Sequence, residues 1–209
     1  MRIVLASASP SRRAILRSAG VDPIIDPAEI DEDSLLEQCQ GQQPEDIVAQ
    51  LATAKAHAVA SRHPGDVVIG GDSMLLLDGK LQGKPHTVER TIQRWLEQRG
   101  RAAHLITGHC IINGAAGGAS TSYQHVETSV TKIRFAPASD SDIEAYARTE
   151  EPLQCAGAFT LEALGGWFID AIDGDPSSVI GLSLPVVRRA LYSFGLNVSD
   201  FWNIQILEE

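Results

Sequence analysis

The segment that most constrains the fold runs from Asp66 to Pro85, DVVIGGDSMLLLDGKLQGKP. Its start, Asp66 to Gly70, is a β-branched run without polar alternation, which is typical of a short strand covered on both faces. Gly70 and Gly71 then let the backbone bend or approach a ligand closely. Asp72 follows directly, so we expect a carboxylate at the carboxyl end of a buried strand, where open α/β sheets hold their ligands.

The same segment also contains a lysine, Lys84, which we expect to lie on a segment next to Asp72. Met74 to Leu77 predicts a second strand, Asp78-Gly79 a tight turn, and Lys84 follows between Gly83 and Pro85. An acid and a lysine on neighbouring segments suit a site for metal-bound phosphate. The alternative is an aspartate that caps a bend and a lysine that is solvated.

The first twenty residues predict a strand, a loop and a helix. Arg2 to Ala6 is expected to form an edge of the core sheet, Ser9 fits a helix N-cap, Pro10 the first helical position and Gly20 the residue past the end. A helix N-terminus attracts anions, and polar residues reinforce this one: Ser7, Ser9, Arg12 and Arg13. The alternative is an ordinary capped helix with two surface arginines, and the P-loop pattern is missing.

Asp31, Glu32 and Asp33 form an acidic cluster. Three adjacent acids are usually a solvated turn or a helix start. They can also supply oxygen to Mg²⁺, which is bound by one or two carboxylates together with substrate phosphates. Glu32 is the candidate ligand.

Lys55 shares a helix face with apolar residues. Gln43 to His63 has apolar residues at helical spacing, and Lys55 lies four residues after Leu51 and four before Val59. A lysine at such a position either extends out of the core edge to solvent or points into a cleft, and both remain open.

Composition and element order indicate a folded mixed α/β protein. The chain has 209 residues, 44% of them hydrophobic, and its element order is compatible with a long central sheet and a helix layer on each side. A net charge of −10 excludes a surface that coats nucleic acid but permits a local basic pocket. The N-terminal apolar run is too short for a signal peptide or a membrane span, and three scattered cysteines fit neither disulfides nor zinc, so the cytoplasm is the expected location.

Seven stretches, in this order, resemble the Maf family of nucleoside triphosphate pyrophosphatases. They are LASASPSRR, Asp31-Glu32, LATAKA, IGGDS, GKP, EPLQCAGAF and GDPSSVIGLSLP. Each motif is weak alone, but together they span nearly the whole chain.

The resemblance implies one domain, 1–209, an elongated α/β structure with a long central mixed sheet and two lobes around a cleft, similar to inosine triphosphate pyrophosphatases. It also implies a homodimer, Mg²⁺ or Mn²⁺, and hydrolysis of nucleoside triphosphates, modified ones among the candidates, to monophosphate and pyrophosphate. Neither nucleic acid nor a membrane is an expected partner. By motif, Asp72 corresponds to the proton acceptor, and the phosphate and metal site is matched by Arg13, Glu32, Lys55 and Lys84.

Three positions depart from the family pattern. Ser11 stands where many members have arginine, Ser73 replaces a threonine, and Glu162 replaces the glutamine of the branch that acts on dTTP and UTP. A glutamine both donates and accepts, whereas an ionised glutamate only accepts, so a pyrimidine preference is not implied. Glu162 is closer to the branch linked to N7-methyl-GTP, but the tryptophan usual in that branch at position 11 is missing. The preferred nucleobase of the substrate is therefore left open.

The hypothesis is therefore that cations hold the triphosphate while Asp72, with Glu32, binds Mg²⁺ and orients or deprotonates water. Whether Asp72 is a base or a metal ligand is open. Two alternatives remain: a phosphatase that releases orthophosphate stepwise, and a nucleotide-binding regulator of cell division with little turnover.

Overall fold

The computed structural model describes residues 1–115 and 123–203. In these ranges seven strands form one mixed sheet: β1 (Ile3–Leu5), β2 (Ile24–Ile25), β3 (Val67–Leu77), β4 (Lys80–Gln82), β5 (Ala102–Asn113), β6 (Gln124–Phe135) and β7 (Ile169–Asp173). The helices are α1 (Pro10–Ser18), α2 (Glu32–Gln38), α3 (Pro44–Ala60), α4 (Val88–Gln98), α5 (Asp140–Ala147), α6 (Pro176–Ile180) and α7 (Leu184–Ser193). Short 3₁₀ helices are Glu151–Gln154, Ala156–Ala158, Leu164–Phe168 and Val198–Phe201. The predicted mixed sheet flanked by helices is confirmed.

The sheet order is β2-β1-β3-β5-β6-β7, with β4 paired to β3. β1 runs parallel to β2 and β3, and the other pairs are antiparallel. The expectation that β1 forms a sheet edge is wrong, because the two-residue β2 pairs with its outer side. None of the helices in the described ranges combines the length and apolar composition of a membrane span.

The glycine pair does not interrupt β3. Its residues from Val67 to Leu76 each have a partner on β5, so one strand of 11 residues replaces the two short strands that the sequence predicts. Gly70 instead makes room for a helix: a Cβ at this position would lie 2.3 Å from the backbone oxygen of Ala52 on α3. Asp72 is consequently in the middle of a strand and not at its end. The predicted turn at Asp78-Gly79 is confirmed, since both residues have positive φ, 50° and 75°, between β3 and β4.

The middle of β3 lies between hydrophobic clusters. Val67 and Ile69 belong to a cluster with α1 and α7, whereas Leu75 and Leu77 pack with Trp95 in another. On the strand edge away from β5, pairing with β1 stops at Ile69 and pairing with β4 starts at Leu75. Within the described residues, positions 70–74 therefore have no strand neighbour on that edge. The division of the single predicted domain into two lobes stays a prediction.

The N-terminal helix forms as predicted. Ser9 has extended backbone angles and accepts a hydrogen bond from the Arg12 amide, and Pro10 is the first helical residue. Gly20 lies just beyond the last turn with φ 84°. This loop places Ser7 and the first turn of α1 close to the middle of β3.

Candidate active site

Asp72 and Lys55 form a buried ion pair at the centre of the molecule. Both residues are 8% exposed, and Lys55 Nζ lies 2.8 Å from Asp72 Oδ1. Helix α3 approaches the sheet closely because Gly70 and Gly108 have no side chains; a Cβ on Gly108 would lie 2.4 Å from the Val48 backbone oxygen. Of the two expectations for Lys55, the extension to solvent is wrong, since its ammonium is buried against the acid.

Glu32 joins this pair from the first residue of α2. Its Oε1 lies 3.1 Å from Lys55 Nζ, and half of its side-chain surface is exposed, 50%. Asp72 Oδ2 is buried and has no hydrogen-bond partner among residues 1–115 and 123–203. Two carboxylates thus share one ammonium, and one carboxylate oxygen is left free to accept a proton or bind a cation.

Arg12 is a buried cation held by neutral groups. It is 9% exposed, and its guanidinium donates to Gly181 O at 2.7 Å, Ser7 Oγ at 3.2 Å and Ser73 Oγ at 3.2 Å. Burial lowers the pKa of Arg12, while the charges of Asp72 and Glu32 raise it, so the arginine lies within electrostatic range of both acids. It forms no ion pair with any described residue. A desolvated charge without a directly bonded counter-ion makes a strong anion site.

The remaining predicted cations, Arg13 and Lys84, lie at the protein surface. Arg13 and Lys84 are exposed, and neither makes an ion pair within the described part of the chain. The pKa of the Cys155 thiol is raised to about 11, mainly by burial and also by the charges of Glu162 and Glu151, while the charge of Lys84 acts in the opposite direction. Lys84 and Glu162 are therefore both close to Cys155. Ser9 is the N-cap of α1, where its hydroxyl oxygen accepts a hydrogen bond from the Arg12 amide.

The sequence profile of the family described as Maf-like protein matches residues 2–194. The chain belongs to this family. Curated relatives share its full length: one from Corynebacterium efficiens is 71% identical over 97% of this chain and 99% of its own, and one from Nocardia farcinica is 49% identical over 96% of each. Both carry the name nucleoside triphosphate pyrophosphatase. The resemblance carried by the seven motifs is confirmed.

Two solved structures are similar to parts of this Maf-like chain. The Ham1 protein of Staphylococcus aureus is 18% identical with a TM-score of 0.42, covering 66% of this chain and 73% of its own. A nucleoside-triphosphatase, dITP/XTP pyrophosphatase, of Mycobacterium abscessus is 17% identical with a TM-score of 0.37, covering 66% and 76%.

Two of the three positions that depart from the Maf pattern line the same cavity. Ser11 and Glu162 line one cavity of about 390 Å³ between α1 and α6, with Ile15, Ser177 and Ile180. Ser73 instead contacts Arg12 Nη2. The structure therefore separates the two residues at the cavity from the one that touches the buried arginine.

His109 is a buried histidine within electrostatic range of Arg12. Burial is the main cause that lowers its pKa to about 4, and the Arg12 charge acts in the same direction. Its Nε2 accepts from the Ser183 amide at 2.9 Å, and Nδ1 lies 3.3 Å from the carbonyl of Glu127, to which it donates. Both ring nitrogens are occupied by structural bonds, so His109 has no free nitrogen that could act as a base.

Sequence reasoning did not find the groups that hold Arg12 in place. Gly181 contributes a backbone carbonyl, which no side-chain pattern reveals. Thr107 contacts Ser73 and is fully buried in β5. A threonine within the apolar run of that strand, opposite Ser73 in register, is a signal that a strand-pairing prediction could have used.

Proposed function

We propose that this protein hydrolyses nucleoside triphosphates to the monophosphate and pyrophosphate. The observation that carries the proposal is the buried Arg12, which among the described residues bonds only to neutral acceptors and lies within electrostatic range of the buried Asp72–Lys55 pair. A buried cation without a directly bonded carboxylate, close to a proton acceptor, suits a polyphosphate and the water that attacks it. The name of the curated relatives states the same activity for those proteins.

The binding residues are assigned by their position and charge. We assign phosphate oxygens at the base of the site to Arg12, and further phosphate contacts to Arg13 and Lys84, whose exposed charges are available to an anion. Ser7 and Ser9 lie at the start of α1, where the first amides carry partial positive charge. Preorganised positive groups stabilise the charge that develops on the leaving pyrophosphate.

Asp72 performs the proton chemistry. Lys55 holds Oδ1, so Oδ2 is the oxygen that accepts a hydrogen bond from water and orients it. The water oxygen bonds to the α-phosphorus as one of its protons passes to Asp72 Oδ2, the bond from that phosphorus to the bridging oxygen breaks, and pyrophosphate leaves with the bridging oxygen and the electron pair of that bond.

We also propose that Mg²⁺ or Mn²⁺ binds at Asp72 and Glu32. The half-exposed Glu32 supplies a hard oxygen atom of the kind that these ions prefer, and the unpartnered Asp72 Oδ2 supplies a second one where Asp72 is a metal ligand and not the base. No group of three or more His, Cys, Asp or Glu in the described ranges can hold a metal, which fits an ion shared with substrate phosphates rather than a closed protein cage. Such an ion supplies charge neutralisation on the phosphate oxygens.

Base selection is assigned to the cavity between α1 and α6. Glu162 lies at this cavity with Ser11, and one of its oxygens, Oε2, accepts from the Leu161 amide at 3.0 Å. The other oxygen can accept from a donor on a base edge. Ser73 acts at the phosphate end, through its bond to Arg12.

We also propose that the protein is a homodimer and that it lies in the cytoplasm. A homodimer is supported by Val126 and Val130, which are 42% and 45% exposed on the part of β6 that β7 does not pair with. A cytoplasmic location is supported by cysteines that are unpaired in the described ranges. Light scattering on the purified chain measures the first, and fractionation of cells measures the second.

The decisive experiment measures pyrophosphate release with Mg²⁺ from ordinary and modified nucleoside triphosphates. Asp72→Asn is expected to lose about 10²-fold or more of the turnover while keeping the wild-type circular dichroism. Asp170→Asn, an exposed acid on β7, is the matched control and should be unchanged. Retained turnover in Asp72→Asn contradicts the assignment, orthophosphate as first product supports stepwise phosphatase action, and binding without turnover supports a regulator.

A further inference from the structure

Arg12 depends on its acceptors for its position, because it has no carboxylate to hold it among the described residues. The three acceptors come from different elements: Ser7 after β1, Ser73 on β3 and Gly181 after α6. Gly181 offers a carbonyl, which can only accept. Ser7 and Ser73 offer hydroxyls, which accept from the guanidinium only when their own hydrogen points elsewhere.

The hydrogen of Ser73 is directed by Thr107. Thr107 Oγ1 lies 3.0 Å from the carbonyl oxygen of Ser178 and 3.0 Å from Ser73 Oγ. The carbonyl only accepts, so the single hydrogen of Thr107 goes to Ser178. Ser73 must then donate to Thr107, and its lone pair faces Arg12 Nη2 at 3.2 Å.

Burial makes this order of donors and acceptors strict. Thr107 is 0% exposed and Ser178 is 1% exposed, so bulk solvent does not substitute for either partner. Without the Thr107 hydroxyl, Ser73 would lose the acceptor of its hydrogen bond. Its hydroxyl hydrogen could then rotate towards the guanidinium and meet the N–H of Arg12, so that two donors would face each other. Arg12 would then lose one fixed contact in a site where no carboxylate compensates.

We propose that Thr107 is a positioning residue for Arg12. It sets the hydroxyl orientation of Ser73 and thereby fixes the guanidinium at the place where a polyphosphate binds. Thr107 itself does not touch the substrate. The inference rests on the proposed function only for the identity of the bound anion, a polyphosphate. The hydrogen bonds from Ser178 through Thr107 and Ser73 to Arg12 do not depend on turnover.

The test uses two readouts with the full-length chain. The first is kcat and KM for the best nucleoside triphosphate, and the second is binding of inorganic tripolyphosphate by calorimetry, which needs no catalysis. Thr107→Val, which replaces the hydroxyl by a methyl of similar size, is expected to raise KM and the tripolyphosphate Kd about five- to tenfold, with a smaller change in kcat. Thr107→Ser keeps the hydroxyl and should restore both values. Ser73→Ala should reproduce the Thr107→Val result.

Thr131→Val is the matched structural control. Thr131 is also 0% exposed, and its Oγ1 lies 3.0 Å from Ser178 Oγ. Among the described residues, Thr131 makes no hydrogen bond to Ser73. We expect this variant to keep wild-type KM and Kd even if it is less stable.

Equal KM and Kd values in wild type and Thr107→Val would overturn the inference, as would an equal effect of Thr131→Val. A wild-type chain that binds tripolyphosphate but releases no pyrophosphate would overturn the proposed function alone, and the Kd comparison would still decide the role of Thr107. A wild-type chain that neither binds tripolyphosphate nor releases pyrophosphate overturns both.

Discussion

Gly70 of β3 and Ala52 of α3 are in such close contact that a Cβ on the glycine would lie 2.3 Å from the Ala52 carbonyl oxygen and 2.7 Å from the Ala56 amide nitrogen. The helix can approach only because this strand position has no side chain. The approach places Lys55, three residues beyond Ala52, against Asp72, two residues beyond Gly70. A packing relationship between backbones thus creates the central ion pair.

Gly70→Ala should therefore lower stability. The atoms that the new methyl meets are backbone, which cannot move aside as a flexible side chain does, so we expect a loss of about 1–3 kcal/mol in the free energy of unfolding, measured by urea denaturation. Gly83→Ala is the control, because a Cβ there meets nothing within 4 Å and its φ is not positive. Equal midpoints for the two variants would contradict the packing argument.

Lys55→Met should cost more stability in the presence of Asp72 than in its absence. The lysine and the aspartate side chains are each 11% exposed, and removing one partner leaves the other charge buried and unpaired, which typically costs about 3–5 kcal/mol. The double variant Lys55→Met/Asp72→Asn removes both charges and should recover much of the loss. A double-mutant cycle from urea unfolding measures this coupling, and additive effects of the two changes would show that the pair does not stabilise the fold.

Glu162→Gln should change base preference without weakening triphosphate binding. The amide adds a donor where the carboxylate only accepts, and one charge-assisted hydrogen bond gained or lost corresponds to about tenfold or more in kcat/KM. We expect the ratio of kcat/KM for UTP to that for GTP to rise by about this factor, while the tripolyphosphate Kd stays constant. Glu144→Gln, on the exposed side of α5, is the control. An unchanged ratio would place base recognition away from the cavity that Glu162 lines.

Glu151 should make stability depend on acid pH. Desolvation raises its pKa, but hydrogen bonds from Thr160, Gly165, Leu164 and Tyr146 lower it more, so that its folded pKa is below the ordinary 4.5. A carboxylate with a depressed pKa stabilises the fold fully above the unfolded value, and this contribution is lost as the pH falls through the lower folded value.

The matching variant is Glu151→Gln, which cannot ionise. We expect it to be less stable than wild type at pH 7 and to lose less stability between pH 5 and pH 3, as measured by urea midpoints across that range. Parallel curves for the two proteins would show that the bonds to Glu151 do not depend on its charge. Because these bonds hold the loop that carries Glu162, the variant should also alter base preference at pH 7.

The family of this Maf-like protein was readable from its sequence, because seven short motifs occur in the order that is typical of the family. The Ser9 cap, the α/β pattern and the family membership depend on local spacing and composition, which need no knowledge of distant contacts. The pairing of Lys55 with Asp72 was left open, since a helix face cannot reveal what it packs against. The tertiary structure decided that pairing through the close approach at Gly70, and it kept β3 continuous because β5 pairs with it along its length. It also decided which groups hold Arg12, since a buried guanidinium takes its acceptors from whatever strands and carbonyls the fold brings within about 3 Å.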